Sequence, residues 1–139
     1  MVGAVGGAIS LIGKELLDRR ARRRSDVRER AKSIETDIRT LEARAIQYWL
    51  IDAADPKCAE LAREVKQLSR RVGDEIRQLE AKGFSCATKC RFTLTALRQA
   101  ATDGHFETQG RAVELNRHSR ISDAANSLIR ELRGALELI

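Results

Sequence analysis

VRERAKSIETDIRTLEARAIQY, residues 27–48, places its apolar side chains at Val27, Ala31, Ile34, Ile38, Leu41, Ala45 and Tyr48. The steps alternate between four and three. That spacing returns every apolar residue to one stripe of an α-helix and predicts a coiled-coil-like seam packed on other helices. The intervening Arg, Glu, Lys, Asp and Thr form the opposite, solvated face. Ile46, Trp49 and Leu50 widen the apolar face where the stretch ends.

Carried backwards, the same ladder lands on Arg24, Arg20 and Leu17. Charge breaks the seam there, so the helix is expected to continue while its packing stops. Residues 1–24 are therefore read as an extension and 25–139 as a helical-bundle domain. The extension begins MVGAVGGAISLIGKELL, with no charge before Lys14, and then turns basic at Arg19, Arg20, Arg22, Arg23 and Arg24. Six basic residues face only Glu15 and Asp18 in this segment, so much of the chain's net charge of +6 lies here. The remaining residues are close to balanced.

Forwards from the seam, Asp55-Pro56 is a helix-start signal, an N-cap acid before a proline whose missing N–H costs nothing. Leu61, Val65, Leu68, Val72, Ile76 and Leu79 line the second helix, which Gly83 should stop. Ser85 can cap a third helix carrying Cys86, Cys90, Leu94, Leu97 and Ala101 on one face, ended by Asp103-Gly104. Residues 104–116 have no sustained period and read as a loop with at most one helical turn. A last helix from about Arg117 carries Ile121, Ala125, Leu128, Leu132, Ala135 and Ile139. The expected fold is all-α: an antiparallel bundle of three to four helices with a long, protruding first helix. One proline and 4% aromatics in 139 residues fit that class and argue against a β-sandwich.

The chemistry the chain can carry is limited. The segment Val2, Val5, Ile9, Leu11, Ile12, Leu16 and Leu17 is apolar but shorter than the roughly 20 residues a spanning helix needs. Apolar first and Arg-rich second is the polarity of a segment held at a membrane with its arginines in the cytosol. Lys14, Arg19, Arg20, Arg22, Arg23 and Arg24 would then grip anionic headgroups. Nucleic-acid phosphates are a weaker alternative, because aromatics for stacking are not interleaved with the arginines. A helical partner or a second copy is a further alternative. Gly3 and Gly7 form one close-approach G-x-x-x-G spacing.

Cys86 and Cys90 lie one turn apart, but a structural zinc site needs a second pair that is missing, so both are expected in the core. His105 and His118 lack an obvious catalytic partner, and no Glu-x-x-His supports a di-iron bundle. Gly13-Lys14 lacks the rest of a phosphate loop. The three cysteines are an odd number without a C-x-x-C pair, which suits a reducing compartment. The chain reads as a non-enzymatic scaffold, sensor or effector subunit with no cofactor, metal or small-molecule substrate, in the cytoplasm at the inner face of the plasma membrane. Tyr48, Trp49 and Phe106 are read as plugs packing the end of the bundle.

Ala45, Tyr48 and Trp49 (A-x-x-Y-W), followed by Asp103, Gly104, Phe106 and Glu107 (D-G-x-F-E) before a final amphipathic helix, resemble a loose class of small bacterial proteins. In that class an N-terminal membrane anchor precedes a cytosolic helical bundle, and the resemblance implies the same plan here. No activity attaches to it. The apolar segment here is shorter than such an anchor, which leaves two readings: a start upstream of Met1, or a segment that only dips into the membrane.

Overall fold

The structure is a computed structural model that describes residues 2–84 and 87–138, with side chains described from Ser10 onward except Ala87. Four helices form it: α1 (Val2–Leu50), α2 (Lys57–Ala81), α3 (Ala87–Thr102) and α4 (Arg117–Leu136). No strand occurs among the described residues. The pairs Asp26–Lys82, Asp37–Arg71 and Arg44–Glu64 climb α1 while descending α2, so these helices run antiparallel. Glu35–Arg133 and Arg39–Asn126 set α4 antiparallel to α1 in the same way. Glu80–Arg91 and the Arg98–Ser69 hydrogen bond do so for α2 and α3. The result is an up-down four-helix bundle.

The α1 seam is the spine of the core. Val27, Ala31, Ile34, Ile38, Leu41, Ala45 and Tyr48 are all buried, together with Trp49. They meet Leu61, Val65, Val72, Ile76 and Leu79 of α2, with Leu68 half-buried against them. Cys90, Leu94, Leu97 and Ala101 of α3 complete the core with Ile121, Ala125, Leu128 and Leu132 of α4. Ser85, Cys86 and Ile139 lie outside the described residues, so the expected α3 cap and the second cysteine are not placed.

Helix ends follow their local chemistry. The Asp55 carboxylate accepts the Lys57 N–H at 2.9 Å, capping α2 just before its first turn. At the other end Gly83 takes φ +85°, a conformation that glycine adopts without a Cβ penalty. Its N–H bonds to the Glu80 carbonyl, and the Phe84 N–H reaches back to Leu79 at 3.2 Å. This pair of bonds is a Schellman ending, and Phe84 is buried in the same apolar core as Leu79.

α1 outruns the bundle. Its first buried residue among those described is Val27, so the 17 residues from Ser10 to Asp26, about 25 Å of helix, precede the core. No helix, among the described residues, is long and apolar enough to cross a membrane.

Candidate functional site

Among the described residues, the large apolar side chains of the protruding segment are exposed. Leu11, Ile12, Leu16 and Leu17 are between 53% and 70% exposed, an unusual state for four large aliphatics within seven residues. Lys14 and all five arginines of the following cluster are exposed as well. Arg19 pairs with Glu15 at 2.7 Å, one helical turn away. Arg23 reaches across to the end of α2, where its Nη2 donates to the Lys82 carbonyl at 2.5 Å. A guanidinium there satisfies an orphan carbonyl and opposes the negative end of the α2 dipole. Arg20, Arg22 and Arg24 make no hydrogen bond or ion pair among the described residues.

A shallow cleft of about 300 Å³ marks the junction between extension and bundle, with Val27 and Phe84 at its base. Arg20, Arg23, Arg24 and Lys82 stand around it. The Lys82 ammonium also binds Asp26 at 2.5 Å, and that hydrogen bond holds the Asp26 carboxyl below the ordinary carboxylate range. Val2, Val5 and Ile9 continue the helix toward its start; their side chains lie outside the described set.

The opposite end of the bundle is closed by aromatic rings and two buried arginines that periodicity does not reveal. Tyr48 and Trp49 meet edge-on with centroids 5.1 Å apart, and Phe106 leans on Tyr48 at 4.8 Å. The expected plug is therefore in place. Arg117, only 6% exposed, lies 3.6 Å over the Trp49 ring. Its fork binds Asp103 at 2.6 Å and Glu114 at 2.8 Å. Arg120 and then Arg117 hold the Asp103 carboxyl below its ordinary value.

Arg111, equally buried, lies 4.1 Å over the Tyr48 ring and donates to the Tyr48 carbonyl at 2.5 Å and Cys58 Sγ at 3.3 Å. The loop between α3 and α4 is thus strapped to the rings by charge-assisted bonds. Its chain is further held by the Glu107 N–H, which donates to the Tyr48 hydroxyl at 2.9 Å with Glu107 at φ +59°.

A cleft of about 710 Å³ opens beside this strap, among Tyr48, Ala54, Cys58, Ala59, Lys66 and Glu107. Lys66 and Glu107 neutralise each other at 2.7 Å. His105 is exposed, His118 Nδ1 is occupied by the Leu115 carbonyl at 2.8 Å, and neither pairs with a carboxylate among the described residues. Cys90 is buried in the core and Cys58 half-buried; no group of three His, Cys, Asp or Glu side chains could hold a metal among the described residues.

Compared with protein families, curated proteins and solved structures, the chain matches none.

Proposed function

We propose that this protein is a non-enzymatic bundle that docks on an anionic membrane surface through the protruding end of α1. The cytoplasmic face of the plasma membrane is the proposed surface. One observation carries the reading: four exposed aliphatics, Leu11, Ile12, Leu16 and Leu17, stand directly before exposed arginines on the part of α1 that precedes the core. Apolar burial into the acyl boundary and attraction of cations to anionic headgroups reinforce each other when they lie in that order. Arg20, Arg22 and Arg24 are unspent among the described residues, and the junction cleft would seat a headgroup between Arg20, Arg24 and Phe84.

Docking to a second copy is the poorer fit. The seam extended from Val27 passes through Arg24 and Arg20, so a parallel pair of α1 segments would oppose like charges. The bundle beyond Val27 would then act as a scaffold or effector unit held at the surface.

Sedimentation with vesicles of phosphatidylcholine and phosphatidylserine tests the proposal. The full chain should pellet with them, less so at high salt. Leu16→Glu with Leu17→Glu should keep it in the supernatant. Replacing Arg20, Arg22 and Arg24 by glutamine should weaken partitioning about a hundredfold, at about 1 kcal/mol for each charge. A wild-type chain that stays in the supernatant with anionic vesicles would sink the idea.

A further inference from the structure

The groove between α2 and α3 is more cationic than its neighbours need. Lys66, Ser69, Arg70, Asp74, Arg77, Arg98 and Thr102 surround a space of about 530 Å³. Two of the four cations are already matched: Lys66 by Glu107 at 2.7 Å and Arg77 by Asp74 at 3.1 Å. Arg70 and Arg98 have no carboxylate partner among the described residues. Arg98 is not loose, because its Nη2 donates to the Ser69 carbonyl at 2.8 Å and fixes the fork across α2. Its remaining donors are unspent, and a guanidinium presents five in a plane suited to an oxyanion.

Two features of α2 are hard to account for by stability. Ser69 is only 7% exposed, yet its hydroxyl, closed off from solvent, has no hydrogen-bond partner among the described residues. A buried unpaired hydroxyl destabilises a fold that alanine would not. Gly73 sits in the middle of a 25-residue helix, where glycine is also unfavourable. A Cβ there would lie 2.3 Å from Arg98 Nη2, whereas its nearest contact outside Arg98, Leu94, would be at an ordinary 3.6 Å. Helix packing therefore leaves room for alanine at 73, and a Cβ there would instead displace the end of the Arg98 side chain from its place against α2. Both departures from the stable choice converge on the same groove.

We propose that this groove binds the phosphoryl group of a small soluble phosphorylated molecule, with Arg98 and Arg70 as its cations. The size suits a compact ligand. No aromatic side chain lines the groove, so nothing there would stack a nucleobase. Gly73 lies ten residues, about 15 Å of helix, before Gly83, where α2 ends beside Arg23. The groove is thus set back from the end of the bundle proposed to meet a membrane, and its ligand comes from solution.

Inorganic pyrophosphate, titrated into the full chain at low ionic strength by calorimetry and amide chemical shifts, tests this. Saturable binding should shift the amides of Ser69, Gly73 and Arg98. Arg98→Gln should weaken affinity about tenfold or more, the usual scale for a lost charge-assisted contact. Gly73→Ala should weaken it severalfold without changing any charge. Arg28→Gln, an exposed α1 control, should bind like wild type.

Absence of saturable binding, a Gly73→Ala variant that binds like wild type, or an Arg28→Gln variant as weak as Arg98→Gln would overturn the site. Saturating pyrophosphate should leave sedimentation with phosphatidylcholine–phosphatidic acid vesicles unchanged. If it instead releases the protein, and Arg98→Gln also abolishes sedimentation, the phosphate belongs to a lipid headgroup and the soluble-ligand proposal fails. The titration contains no vesicles, so its outcome is separable from that of the membrane proposal.

Discussion

Replacing Glu75 by glutamine should make the protein more stable at pH 8 and change little at pH 4.5. Glu75 of α2 faces Asp37 of α1 inside the helix interface, and the Arg71 guanidinium lies 3.1 Å from the first and 3.3 Å from the second. Burial, and next the Asp37 carboxyl, push Glu75 from 4.5 up to about 7 against the pull of Arg71. A carboxyl whose pKa is raised on folding binds its proton more tightly in the native state. Its contribution to stability is therefore fully present below pH 4.5 and is lost as pH rises through 7. The rise from 4.5 to about 7, at 1.36 kcal/mol per unit, corresponds to about 3 kcal/mol; water reaching the pair lowers this to about 1–3 kcal/mol.

Glutamine stays neutral at every pH and can still donate to Asp37, and the exposed Arg71 pair it forfeits contributes little. Urea unfolding followed by Trp49 fluorescence from pH 4.5 to 8.5 measures the effect, since the chain has a single tryptophan and it is buried. The wild-type curve should fall relative to the variant between pH 4.5 and 7, then run parallel to it. Parallel curves throughout, or a variant weaker than wild type at pH 8, would show that the two carboxyls do not oppose each other as described.

Arg117→Met should destabilise the fold by roughly 1.5–3 kcal/mol, because it removes the charged hydrogen bonds to Asp103 and Glu114 and the cation over Trp49, while Asp103 keeps Arg120. Arg117→Lys should not rescue it, since an ammonium cannot fork between two carboxylates while stacking on a ring; thermal melts of both variants check this. Gly83→Ala should cost about 1 kcal/mol by denaturant titration, as φ +85° strains any residue with a Cβ, whereas Gly83→Asn should cost less because asparagine tolerates that region.

Periodicity revealed what depends on one helix at a time. The α1 seam is readable because a stripe at steps of four and three has only one way to be buried, whatever lies opposite. The α2 stop is readable because Gly83 meets a requirement of the backbone alone. Arg111 and Arg117 could not be found this way. In a chain that is 33% charged, an arginine in an aperiodic loop looks solvated until rings and carbonyl groups from elsewhere close over it. Only the helix crossing reveals that the Arg98 guanidinium lies where a Gly73 side chain would otherwise sit. Glu75 and Asp37 likewise became neighbours through the α1–α2 register, since 38 residues separate them in the chain. The one local signal overlooked was Phe84, an apolar residue directly after a C′ glycine, which is the position a Schellman ending buries.

Arginine is used in two ways at the two ends of α1. At the loop end, Arg111 and Arg117 give their donors to carbonyls and carboxylates and their faces to rings, so desolvating the charge is offset within the fold. Toward the N-terminus, Arg20, Arg22 and Arg24 stand exposed within five residues, next to Arg19 and Arg23, and their mutual repulsion has no compensation among the described residues. An exposed cluster of one sign adds nothing to stability and costs some. The same reasoning applies to Arg70 and Arg98 around an unpaired Ser69. Each uncompensated cluster lies beside a feature that stability alone would not retain: exposed leucines on α1, and a helix-interior glycine on α2. Neutralising Arg20, Arg22 and Arg24 should therefore leave the folded bundle at least as stable as before, whatever it does to binding. A loss of stability in that variant would mean the cluster serves the fold after all.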